Sequence, residues 1–444
     1  MGAKWHWILM QNSVLIKTQN SFEYVLESRQ DLTQGLESVK FITEQNMALE
    51  ILKKLIQYPT ITPLEHGIYE YIQTLLPSFK ALHIEKNGVK NVLFYKIPKG
   101  YDEKSAWERL NHFCFAGHID VVKPGGGAAV PKDIYDTENS GQNKGEWSYP
   151  PFTPTIHDGY IYGRGTQDMK GGIACFIKAL QDFIGENETQ MIFSVLLTSD
   201  EEGEGIYGTQ YMLEILKEKG MLPTYAIVAE PTSTRFAGDT IKVGRRGSIN
   251  GVIKILGKQG HVAYPEKCIN PVELLGSKLG LLAGVNLDSG DCVFSASKLV
   301  ITDIRGGIEA VNVTPNDLVI MFNVRNSTMT TLESVKSHVD SVLDGLPYTL
   351  ELKQSSKSFH TKDSVLITLL QDSIHEVAQI QAELSTSGGT SDARFLSEYG
   401  VEVVELGLCN DRIHAVDERV SLQDIEQLER IFSTFLKRLL QDGM

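Results

Sequence analysis

Apolar residues first recur at helical spacing in the run Met47-Ala-Leu-Glu-Ile-Leu-Lys-Lys-Leu-Ile, so a folded unit is expected to open at Met47. From there to about Ser233, strand-like apolar runs alternate with amphipathic stretches. The runs 91–97, 112–117, 191–198 and 225–229 read as strands, and 168–183 and 208–219 as the clearest helices. That rhythm predicts an α/β layer around a mostly parallel sheet. It changes between Asp239 and Lys357. Strands over 240–243 and 248–256, a helix over 271–283, strands over 298–304 and 317–324, a helix over 331–343 and a strand over 348–353 describe a small α+β unit. The alternation then returns with helices over 364–380 and 391–399, a strand over 401–406 and a long helix after Ser421. The expected organisation is a discontinuous α/β domain, 47–235 and 358–444, interrupted by an inserted α+β domain, 236–357.

Residues 1–46 are polar, rich in Gln, Ser and Glu, and read as a dispensable extension of the kind an upstream start codon would add. The chain's 444 residues exceed what one hydrophobic core usually organises, which agrees with two domains. A net charge of −14 argues against a nucleic-acid partner, whose phosphates need clustered Lys and Arg. The stretch from Trp5 to Ile16 is broken by Gln11, Asn12 and Ser13 and lacks the form of a secretory signal, and no run reaches the length of a membrane span. Cys114, Cys175, Cys268, Cys292 and Cys409 are odd in number, scattered and without a CxxC pair, as expected of reduced thiols in a cytoplasm.

Metal-capable side chains fall where the expected strands end, the place at which open α/β sheets bind ligands. One strand runs into His118-Ile-Asp120, another into Asp200-Glu201-Glu202, a third into Glu230-Pro, and the last into Asn410-Asp-Arg-Ile-His414. Gly163-Arg-Gly-Thr-Gln-Asp168-Met-Lys-Gly-Gly sets a carboxylate at a glycine-bounded turn before a helix. Each element alone is weak, since HxD tripeptides and paired glutamates are common on surfaces. Together they describe a site for two divalent ions, zinc foremost, held by imidazole and carboxylate. Such a pair acidifies water and stabilises a tetrahedral intermediate. Asp168 suits a bridging role, Asp120 suits the fixing of the His118 tautomer, and one of the adjacent glutamates can ligate while the other acts as general base.

These motifs, with Ala229-Glu230-Pro-Thr and Ile413-His414, resemble the signature set of the co-catalytic zinc aminoacylase and carboxypeptidase superfamily, in consistent order from Met47 onward. The resemblance implies that Asp168 bridges, that His118 and Glu230 complete one metal site, that Glu202 and His414 complete the other, and that Glu201 is the base. It implies two zinc ions, with cobalt the second choice, and a cis peptide after Asp168. It also implies that the inserted domain serves as the dimerisation or lid domain of a homodimer.

Three stretches narrow the resemblance. Val243-Gly-Arg245-Arg246-Gly-Ser248, Gly260-His261-Val-Ala-Tyr264-Pro and Thr386-Ser-Gly-Gly389-Thr390-Ser-Asp392-Ala-Arg394 are similar to the branch that hydrolyses N-succinyl diaminopimelate. A small-molecule substrate with several carboxylates calls for Arg and neutral donors. The implied substrate residues are Arg245, Ser248, Tyr264, Asn312, Arg325, Gly389, Thr390 and Asn410, with His261 reaching the scissile carbonyl of the partner subunit. Val311 stands where that branch has Asn, Ala393 where it has Gly, and the link between Pro124 and Trp147 is longer than usual. A deacetylase of acetylated amino acids would share the metal motifs, and a non-catalytic binding relative would share the fold.

Overall fold

The computed structural model describes residues 47–125 and 147–441 in full, and 6–10, 13–17 and 24–26 by backbone alone. Those three short segments pair as an antiparallel sheet. The expectation that 1–46 is dispensable and the long link after Pro124 fall outside the fully described residues.

Four strands, His112–His118, Ile192–Thr198, Tyr225–Val228 and Glu402–Glu405, run parallel at the centre of an eight-stranded sheet. The first two are buried along their whole length, which explains why their sequences are continuously apolar rather than alternating. Val89–Lys96 and Lys80–Lys86 extend one side as an antiparallel ribbon. Thr240–Lys242 and Glu383–Ser385 extend the other.

The helices Met47–Ile56, Lys170–Glu186, Val365–Ala378 and Leu422–Gln441 pack together over this sheet. Leu422–Gln441 shows why: Ile425, Leu428, Phe432, Phe435 and Leu439 lie three or four apart along its buried stripe. Phe115 stacks on Phe176 at 4.9 Å and meets Phe432 edge-on at 5.2 Å, locking the central strand to two helices. Each such pair adds about 0.5–1.5 kcal/mol beyond its buried area.

A second core, separate from the first, gathers Ile249, Ile253, Phe322, Val324, Val335 and Val339. It lies on one face of an antiparallel sheet ordered Leu299–Gly306, Asp317–Asn326, Gly247–Leu256, Tyr348–Ser356. Leu318, Ile320, Phe322 and Val324 alternate inward along their strand, the period expected when only one face is covered. The helices Pro271–Gly276, Leu279–Leu282 and Leu332–Val342 belong to this unit, the first two replacing the single helix expected over 271–283.

The segment 240–243 was expected in the inserted domain. Thr240–Lys242 instead pairs with Glu383–Ser385 and Glu402–Glu405, and Ile241 and Val243 enter the first core. The chain crosses between the units one step later, where Gly244–Arg245 pairs with Phe359–His360. The architecture is a mixed α/β sheet domain with a second α+β unit inserted. Among the described residues no helix is long and apolar enough to cross a membrane.

Candidate metal centre and active site

The parallel strands deliver the candidate ligands beyond their carboxyl ends. His118 closes its strand, Glu201 and Glu202 follow Thr198, Glu230 follows Val228, and His414 lies beyond Glu405. Asp168 precedes Lys170–Glu186 across a cis peptide to Met169. The turn there requires glycine by close approach. A Cβ on Gly171 would stand 2.3 Å from the Thr166 carbonyl oxygen and one on Gly172 2.4 Å from that of Ala229, so side chains would push the helix away and carry Asp168 with it.

Three groups of possible ligands result among the described residues, His118–Asp168–Glu230, Asp168–Glu202–His414 and His118–Glu201–Glu202, each with ligand atoms within 4.8 Å of one another. Asp168 belongs to the first two, with Oδ1 3.1 Å from His118 Nε2 and Oδ2 3.3 Å from His414 Nε2. Glu202 Oε1 lies 2.8 Å from His414 Nε2, and Glu230 Oε1 3.7 Å from His118 Nε2. His118 Nδ1 donates to the Asp120 carbonyl at 2.9 Å; a carbonyl only accepts, so neutral His118 leaves its Nε2 lone pair facing the triad. Glu230 Oε1 is buried without a hydrogen-bond partner, an expensive arrangement unless a cation sits against it. The donor set therefore fits two divalent ions sharing one carboxylate.

Burial opposes a charge on His118, but Asp120, Asp168, Glu230 and Glu201 outweigh it and hold the imidazole well above its usual pKa. Burial pushes Glu201 and Glu230 well above the usual carboxylate range, and neighbouring carboxylates push the same way. Hydrogen bonds to Asp168 and Glu202 raise His414 to about 10. An ion ligated by His414 must displace that proton. Affinity of the metal-stripped protein for zinc at this site is therefore expected to rise between about pH 6 and about pH 9, as read by chelator competition; a flat profile would contradict the proton's presence.

Asp120 is buried and does more than stand near His118. Its carboxylate lies 3.6 Å from His118 Nδ1, accepts from Thr62 Oγ1 at 2.7 Å, and takes the backbone N–H groups of Glu202 at 3.1 Å and Glu201 at 3.4 Å. One carboxylate thus aligns the histidine and the turn carrying both glutamates. Lys170 is fully buried and donates to the carbonyls of Leu55 and Tyr58 at 3.1 and 2.8 Å, tying the helix after Asp168 to the end of Met47–Ile56; burial pulls its pKa down to about 7.

The expected substrate residues fall into separate groups. Arg245 is buried and spends its guanidinium on Glu405 and on the carbonyls of Ser387 and Gly389, so it holds the loop that carries Gly389 and Thr390. Thr390 Oγ1 accepts from Arg394 at 2.7 Å, and Asn410 is tied by its backbone to Ser233 at 3.1 Å. Ser248 pairs with Arg325 across the second sheet and accepts from Asn323 at 2.9 Å. Arg325 and Asn323 line a groove of about 510 Å³ with Arg246, Lys298, Asn286 and Ser295, three cations and, among the described residues, no carboxylate. Of these only Arg325 was anticipated as a substrate residue, although Arg246 stands in a quoted stretch; they meet only when the strands pair. His261, Tyr264 and Asn312 are exposed together at another corner of the second unit, where Val262 N–H meets the Asn312 carbonyl at 3.1 Å. The His261 ring accepts at Nδ1 from Ala263 N–H at 3.1 Å, leaving an outward N–H on Nε2 in the neutral form. No hydrogen bond among the described residues joins this corner to the acidic cluster.

A sheet with carboxylate and imidazole groups converging on two adjoining ion sites defines a metal-dependent hydrolase. The chain belongs to peptidase family M20/M25/M40, whose pattern matches residues 114–438. Among its relatives, the succinyl-diaminopimelate desuccinylase of Wolinella succinogenes is 53% identical over 384 residues, 86% of this chain and 97% of that protein. That of Helicobacter hepaticus is 53% identical over 409 residues, 89% of this chain and 98% of its own length. Among solved structures, the aminopeptidase PepT of Bacillus cereus shares the fold at a TM-score of 0.69 and 17% identity, covering 89% of this chain and 98% of its own.

Proposed function

We propose that the chain hydrolyses the amide bond of N-succinyl-LL-2,6-diaminopimelate to succinate and LL-2,6-diaminopimelate, a step in diaminopimelate and lysine biosynthesis. The observation that carries the chemistry is the pair of triads sharing Asp168, each complete without Glu201 beside them. Full-length similarity to the desuccinylases supports the substrate, as does the groove with Arg246, Lys298 and Arg325 for carboxylates. Release of succinate against acetate from matched N-acyl substrates tests it.

His118, Asp168 and Glu230 would hold one divalent ion, and Asp168, Glu202 and His414 the other, zinc foremost and cobalt next. Bound there, the ions supply Lewis acidity toward an amide carbonyl and water. Glu201 is supernumerary as a ligand. Its carboxylate lies 3.9 Å from His118 Nε2, and the elevated pKa given by burial suits a base that takes a proton from the attacking water and returns it to the leaving nitrogen. Asp120 keeps His118 and the Glu201–Glu202 turn in register for that transfer.

The working form in this reading is a cytoplasmic homodimer. Leu281, Val300 and Ile304 are exposed on the second unit, the last two on Leu299–Gly306, the outermost strand of its sheet among the described residues. An exposed apolar edge strand of this kind is a ready surface for a second copy. His261, with its outward N–H, then belongs to the partner's active site as an oxyanion donor.

A further inference from the structure

Beside Asp168 lies a fully buried ion pair with no part in metal ligation: Arg164 Nη1 and Glu418 Oε2, 2.7 Å apart. Glu418 Oε1 also accepts the backbone N–H groups of Gln167 at 2.8 Å and Asp168 at 3.2 Å, and Oε2 that of Gly165 at 3.0 Å. Three amides of the turn that presents Asp168 thus converge on one carboxylate. The other terminal nitrogen of Arg164 donates at 3.3 Å to the carbonyl of His414, 250 residues away in the chain. Gln167 adds a second tie, donating to Asp411 at 2.6 Å and accepting from Arg412 N–H at 2.9 Å.

The loop so held needs holding. His414 and Asp417 both adopt left-handed backbone, φ +61° and +57°, a conformation that disfavours residues other than glycine. A buried ion pair is a poor stabiliser compared with apolar residues of the same size. What this pair does that an apolar pair could not is bond to the backbone of two ligand-bearing segments at once.

We propose that Glu418, with Arg164, is a positioning residue for the ion shared by Asp168, Glu202 and His414. Glu418 sets Asp168 through the amides of its turn, and Arg164 sets His414 through its carbonyl. The inference rests on the two-ion reading above. Glu418→Gln keeps the size of the side chain but turns an NH2 group toward N–H donors. Full-length protein, stripped by chelator, is titrated with Zn2+ by calorimetry and with Co2+ by absorption, alongside thermal melting. The expected result is a roughly 10–100-fold loss of affinity for at least one ion, the size seen when outer partners of metal ligands are removed, since Asp168 belongs to both triads. A folded variant with a lower Tm and two unchanged affinities would overturn the proposal. Should Glu418→Gln not fold, Arg164→Lys decides, because lysine keeps the charge against Glu418 but cannot also reach the His414 carbonyl. Weakened affinity for at least one ion supports the role, and unchanged affinities overturn it. Wild-type protein that takes up a single ion would remove the two-ion reading, and this inference with it.

Discussion

Glu201→Gln is expected to retain both ions and lose at least about two orders of magnitude in kcat. The triads around Asp168 are complete without Glu201, so the amide should leave metal content near wild type. Its size and the backbone N–H bond to Asp120 are unchanged, which keeps Glu202 in place. What is lost is a group able to take a proton. Metal analysis beside steady-state kinetics separates this outcome from the alternative grouping of His118, Glu201 and Glu202 as ligands. Loss of one ion in the variant would make Glu201 a ligand, and near-normal turnover would remove it from the mechanism.

The second large effect concerns His261. It is exposed, lies on the second unit and makes no bond to the acidic cluster of its own chain among the described residues, yet its Ala263 contact leaves an N–H free to donate. If that donor serves the partner's site, each site is composite and a monomer should be nearly inactive. Homodimers of His261→Ala and of Glu201→Gln should both be inactive. Under subunit exchange a mixed dimer holds one site with both residues intact, and activity should return toward a quarter of wild type, because about half the dimers are mixed and each has one good site. Verified exchange with no recovered activity would place His261 outside the reaction.

The centre of the fold was legible because burial on both faces writes itself as continuous apolar runs, as in His112–His118 and Ile192–Thr198. The candidate ligands could be read because most stand at or shortly beyond the end of such a run and Asp168 at a glycine-bounded turn before a helix, and the structure brings His118, Asp168, Glu202, Glu230 and His414 together. Thr240–Lys242 was placed in the wrong unit because a three-residue strand carries too little pattern to show which core receives Ile241. Arg164 and Glu418 were not anticipated. Their role comes from backbone amides they bind across the chain, and nothing in the spacing of a buried Arg and Glu announces it. The grouping of Arg246 and Lys298 with Arg325 escaped for a related reason, since it forms only through antiparallel pairing of the second sheet, although Arg246 stands in a quoted stretch.

The most direct measurement is product release by the metal-loaded protein from N-succinyl-LL-2,6-diaminopimelate and from its N-acetyl counterpart, with succinate, acetate and free amine followed separately. The account predicts equimolar succinate and diaminopimelate, a kcat/KM at least about tenfold above that for the acetyl substrate, and loss of release on chelation with recovery on adding Zn2+. Acetate released faster than succinate, or succinate release that survives complete removal of metal, would contradict it.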